Sequence, residues 1–108
     1  MVGKIKIIYT PEVISYLDDL VKILHKKEYF GFIESAEEYV SEIYDSVSGN
    51  IKLENHKIAP KKLKHLGSKY IFHKANSRTF WYIFFESKDE KYLITGIINS
   101  HSEEVKYL

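Results

Sequence analysis

The most constraining feature of the chain is the run Thr79-Phe80-Trp81-Tyr82-Ile83-Phe84-Phe85. Its aromatic and β-branched side chains suit a pleated strand, in which neighbours point to opposite faces. Phe80, Tyr82 and Phe84 then share one face, with Arg78 in phase just before them. Trp81, Ile83 and Phe85 share the other. A strand apolar on both faces has to be central and covered, at least in part, from both sides. The flanking stretches agree. Tyr70-Ile71-Phe72-His73-Lys74-Ala75 precedes it across a turn at Asn76-Ser77-Arg78, and Tyr92 to His101 follows it across the charged turn Ser87 to Lys91. Together they read as three strands of an antiparallel meander. This region holds 8 of the 16 aromatic residues, most of them core by the burial habits of large apolar side chains.

The remainder must supply the covering layer. Lys4 to Tyr9 alternates and is β-branched, which predicts a strand. Thr10 is placed to cap a helix and Pro11 suits the first helical position, where no N–H is needed. Val13, Leu17, Leu20, Val21 and Leu24 form one apolar stripe, so a helix is expected over 11–27, with Gly31 as the break. A second helix is expected from Phe32 or Ser35 to Ser48, with Ala36, Tyr39, Val40, Ile43 and Val47 facing inward and Glu34, Glu37, Glu38 and Glu42 outward. Gly49 suits a left-handed cap. Residues 51–69 are less regular: Pro60 punctuates them, and 61–67 reads as a short helical turn or a basic loop. In the last strand Leu93, Thr95, Ile97 and Asn99 fall on one face with His101 in phase beyond. The tail from Ser102 to Leu108 is expected to fray. The fold class is therefore α+β, in the order β-α-α-β-β-β, with a helical hairpin packed on a mostly antiparallel four-stranded sheet.

At 108 residues the chain, 1–108, is read as a single domain. It has no cysteine, so disulfides, thiolate metal sites and a cysteine nucleophile are excluded. The opening residues do not form a secretory leader and no run is long enough to span a bilayer, so no membrane association and a cytoplasmic location are expected. No glycine-rich phosphate loop, nucleophile elbow or metal-ligand spacing occurs, so no cofactor and no metal are expected. The net charge of +1 conceals a segregation: residues 51–78 carry seven lysines and Arg78 against Glu54 alone, while both flanking parts are acidic on balance. A basic segment in a near-neutral chain points to a local anionic partner. The polar residues next to the aromatic strands are the candidates: Arg78 and His101 at strand ends, His73 and Lys74 in the first meander strand, and Lys61, Lys62 and Lys64 ahead of it. Arginine and histidine can both contact a phosphate, and histidine exchanges protons near neutral pH.

Tyr9-Thr10-Pro11 entering a helical hairpin, the lysine-rich stretch before the meander, Arg78-Thr79-Phe80-Trp81-Tyr82-Ile83-Phe84-Phe85 and Ile98-Asn99-Ser100-His101 together give a chain that resembles the RelE/ParE toxin superfamily of bacterial type II toxin–antitoxin modules. The resemblance covers nearly the whole chain. It implies a toxin neutralised by a small cognate antitoxin. RelE-like members cleave mRNA in the ribosomal A site without metal, whereas ParE-like members inhibit DNA gyrase and are not nucleases. By this resemblance Arg78 matches the phosphate-binding arginine, His101 matches a strand-end acid–base position, and Lys61, Lys62, Lys64, Lys74 and His73 fall in the basic RNA-binding region. Ribosome-dependent mRNA cleavage is the expected activity, with gyrase inhibition, or an interaction module sharing only the fold, as the alternatives. The chain departs from the pattern in two places: Glu54 is the sole acidic candidate for a general base, and Ser102-Glu103-Glu104 follows His101 where a basic cluster is usual.

Overall fold

Thr10 fixes where the first helix begins. The computed structural model describes residues 6–26, 33–51, 57–75 and 79–108. In it the Thr10 hydroxyl accepts the Val13 N–H at 3.3 Å and its carbonyl accepts the Ile14 N–H at 3.0 Å. This side-chain cap ends strand β1 (Lys6–Tyr9) and starts helix α1 (Pro11–Lys26). Helix α2 (Ile33–Asn50) follows, packed against α1. The expected stop at Gly49 is corrected: the helix runs through it to Asn50, whose side-chain amide donates to the Ser46 carbonyl at 2.8 Å. No left-handed glycine is needed, because the turn simply continues past it: the Ile51 N–H donates to the Val47 carbonyl at 3.0 Å. The Gly31 break lies outside the described residues.

The sheet has five strands in the order β1-β5-β4-β3-β2. Its members are β1, a short β2 (Lys57–Ile58), β3 (Lys69–Lys74), β4 (Phe80–Lys88) and β5 (Lys91–Asn99). The expected count of four is corrected by β2, whose two residues pair with Ile58 opposite Lys69 and Lys57 opposite Tyr70. So short a strand leaves no alternation to read. β2–β3, β3–β4 and β4–β5 are antiparallel, and β1 pairs in parallel with β5, so the sheet is mixed. The β4–β5 connection is tighter than the charge pattern suggested. Lys88 pairs with Lys91, leaving only Asp89 and Glu90 in the turn, with Asp89 at φ 57°.

β4 is central and covered on both sides, as its composition requires. Trp81, Ile83 and Phe85 pack with Ile71, Ile94 and Ile97 beneath Val13, Leu17 and Leu20 of α1 and Val40, Ile43 and Val47 of α2. Phe84 packs on the opposite, outer face with Tyr70, Ile98, Ala59 and Leu63. That face is roofed by two 3₁₀ turns, Lys61–Leu63 and Glu103–Tyr107. The C-terminal segment is therefore ordered, its Val105 packed against the outer cluster, rather than frayed. The expected alternation in β5 is also corrected. A bulge places Phe84 opposite Gly96 and Phe85 opposite Ile94, leaving Thr95 as the extra residue. Such an insertion reverses the phase of everything beyond it, so Ile94 and Ile97 both face the helices. Among the described residues no helix is long and apolar enough to cross a membrane.

Candidate functional site

The backbone around Phe80 and Ser100 builds one end of the sheet. The Ser100 N–H donates to the Phe80 carbonyl at 2.8 Å, and the Phe80 N–H donates to the Ser100 hydroxyl at 3.1 Å. This two-way bond clamps the start of β4 to the end of β5. His101 follows in a turn, where its N–H donates to Asn99 Oδ1 at 2.8 Å, a local side-chain bond typical of asparagine turns. The result sets His101 Nε2 3.2 Å from Thr79 Oγ1. The imidazole is exposed, free to meet a ligand and oriented by one hydroxyl.

Thr79 is the chain neighbour of Arg78. Arg78 itself lies outside the described residues, as does Glu54. On the other side of β4, Lys74 stands opposite Phe80 in register, its Nζ 6.0 Å from the Phe80 ring centroid. His101 and Lys74 thus flank the first residues of β4 from the two neighbouring strands. His73 is different. It pairs with Trp81, which faces the helices, so it points to the opposite face from Lys74. Lys61, Lys62 and Lys64 are exposed around the first 3₁₀ turn, held by buried Leu63 on the outer face. Lys62 Nζ lies 5.6 Å from the Tyr107 ring centroid. The basic segment is therefore spread over an end and a face rather than gathered at one point.

The acidic departure has a defined place. Glu103 and Glu104 open the second 3₁₀ turn just beyond His101, and Ser102 Oγ donates to Glu104 Oε1 at 3.1 Å. Among the described residues no three of His, Asp and Glu gather as metal ligands. What this end can do chemically is accept an anion next to a solvent-facing imidazole. Thr79, Asn99 and Ser100, the residues that position His101, stood in the quoted motifs but were given no role from sequence. Their only legible signal was polar side chains flanking both ends of an apolar strand pair.

The outer face carries a second feature. Phe72, Phe80 and Tyr82 adjoin at ring-centroid distances of 6.0 and 6.4 Å, and Tyr70 continues the row 6.2 Å from Tyr82. Burial, with Tyr82 adding to it, raises the Tyr70 phenol above its ordinary value, so it stays a neutral donor. The rings line a hollow with Lys57 and Leu108.

Comparison of the chain with protein-family models, curated proteins and solved structures returns no match.

Proposed function

We propose that this chain is the toxin of a type II toxin–antitoxin module and cleaves mRNA on the ribosome without a metal. The observation that carries the reading is the pairing of His101 Nε2 with Thr79 Oγ1 at 3.2 Å. It sets an exposed imidazole beside the residue that adjoins Arg78, at the polar end of a meander like that of the RelE/ParE superfamily. In the reaction the ribose 2′-hydroxyl gives up its proton to solvent water as its oxygen bonds to phosphorus, and the bond to the 5′-oxygen breaks. Protonated His101 gives its proton to that leaving oxygen. Arg78 and Lys74 offset the charge that builds on the phosphate oxygens, and the products are a 2′,3′-cyclic phosphate and a 5′-hydroxyl end. A small antitoxin that orders on binding would keep the end covered.

Expression without an antitoxin tests this. Growth arrest is expected, relieved by Arg78→Ala and by His101→Ala, and cleavage on programmed ribosomes should fall by about 10²–10⁴-fold in the His101 variant. Arrest that survives both substitutions overturns the site. The carboxylates of Glu103 and Glu104, two and three residues after His101, favour a second reading, since they oppose a polyanion. In that reading the protein is a non-catalytic inhibitor of DNA gyrase, and lost supercoiling with mRNA intact would identify it.

A further inference from the structure

The aromatic row on the outer face has no role in the chemistry above. Phe72 is 46 % exposed although it lies within a strand of the sheet. It does not stand alone: Phe80 and Tyr82 adjoin it, and Tyr70 continues the row beside Tyr82. The hollow they line has Lys57 at one side and, among the described residues, no aspartate or glutamate in its wall. Lys74, with its Nζ near Phe80, follows Phe72 by two residues on the same face of β3. An exposed ring, Phe72, backed by half-buried rings and flanked by ammonium groups, supplies the two elements that a single strand of nucleic acid needs. Bases stack on aromatic faces, and phosphates meet the charges. An apolar peptide would use the same hollow without needing rings, and an acidic one would use the lysines without needing Phe72.

We infer that this face binds single-stranded RNA, with a base stacked on Phe72 and the neighbouring phosphates held by Lys57 and Lys74. Phe80 begins β4 directly beside Thr79, the partner of His101. The strand therefore leads from the hollow to the end where cleavage is placed, and Phe72 selects for unpaired bases next to the cut. The inference rests on the nuclease reading for its ligand but not for its test.

The test is fluorescence anisotropy of labelled 2′-O-methyl oligouridine, which has no free 2′-hydroxyl to attack the phosphate, at about 50 mM salt. Phe72→Ala is expected to weaken binding by about 5- to 150-fold, the range that stacking on an aromatic ring supplies. Phe72→Leu should lose as much, because it keeps bulk but has no ring face, while Phe72→Tyr should bind as the parent does. Lys57→Ala and Lys74→Ala should each reduce the salt dependence, lowering the slope of log K on log salt by about 0.7. Because Phe72 is half exposed, its variants should melt within about 4 °C of the parent, which verifies folding. Parent-like binding by Phe72→Leu, equal binding of a duplex, or polyglutamate binding as tight as RNA and indifferent to Phe72 would each overturn the inference, the last in favour of an acidic protein partner. Growth arrest in the same strains separates the two proposals. Arrest indifferent to Arg78 and His101, with RNA binding still dependent on Phe72, removes the nuclease reading and leaves the surface. Arrest dependent on both, with binding indifferent to Phe72, does the reverse.

Discussion

Trp81 shows how a single polar atom is accommodated in the core. It is 2 % exposed, and its indole N–H donates to the Tyr39 hydroxyl at 3.0 Å. Tyr16 and Tyr39 meet its ring edge-on, with centroids 6.3 and 6.5 Å away. Tyr39→Phe keeps the packing and removes the acceptor, so a buried donor loses its partner. That is expected to cost about 1–3 kcal/mol. Trp81 is the only tryptophan, so a urea titration followed by its fluorescence reads the change directly, as a lower midpoint at constant slope. An unshifted midpoint would show that this bond is dispensable. At this scale sequence was a good guide to apolar residues and a poor one to polar partnerships. The stripe of α1 was legible from spacing, because burial of a helix face repeats with the helix period. The bond from Trp81 to Tyr39 joins residues 42 apart, and nothing local signals it.

At the scale of elements, the segment Leu66-Gly67 is laid flat on the β4–β5 pair. The Thr95 hydroxyl, at the bulge, donates to the Leu66 carbonyl at 2.5 Å. A Cβ on Gly67 would stand 2.7 Å from Thr95 Oγ1 and 2.8 Å from the Phe85 nitrogen; one on Gly96 would stand 2.8 Å from the Leu66 carbonyl. Two glycines and a bulge thus let one strand of backbone lie against another. Ser68 adds a bond to Glu86 through its hydroxyl, while its N–H donates to the second carboxylate oxygen at 3.1 Å. Gly67→Ala and Gly96→Ala are each expected to lose about 1–3 kcal/mol, since backbone atoms in the way cannot move aside as a side chain would. Thermal melts of both variants check this. The segment anchors the turn that carries Lys61, Lys62 and Lys64, so the same substitutions should disturb that lysine group before they disturb β3.

For the whole molecule, the lock between the helical layer and the parallel edge strand carries a pH signature. The Tyr9 and Tyr44 rings meet edge-on at 5.0 Å, joining β1 to α2. Burial first, and then Tyr44 and Asp45, push the Tyr9 phenol up to about 12. Burial likewise raises Tyr16, Tyr44 and Tyr70. A group whose folded pKa lies above its unfolded one contributes stability that is fully present below the unfolded value. It is lost as pH rises through the folded value. Stability against urea should therefore fall as pH climbs from about 10 to 12, the unfolded and folded values of Tyr9. Tyr9→Phe should make that fall shallower. A fall of equal steepness in the variant would place the alkaline sensitivity on other groups.

Sequence by itself determined the α+β class, the helical hairpin, the Thr10 cap and the central place of β4. Each follows from a local period or from a residue whose side chain acts on its own backbone. It also offered Arg78 and His101 as candidates, because a polar side chain at the end of an apolar strand is visible without a fold. Only the tertiary structure decided the rest. The parallel pairing of β1 with β5 joins the first strand to the last, and β2 is too short to have a pattern. The bulge at Thr95 reverses a phase that alternation alone would extend. The contact of Thr79 with His101 spans 22 residues, and the exposure of Phe72 depends on where the roofing turns stop. All five are non-local, set by which groups find partners across the sheet, and such pairings leave no trace in the spacing of neighbouring residues.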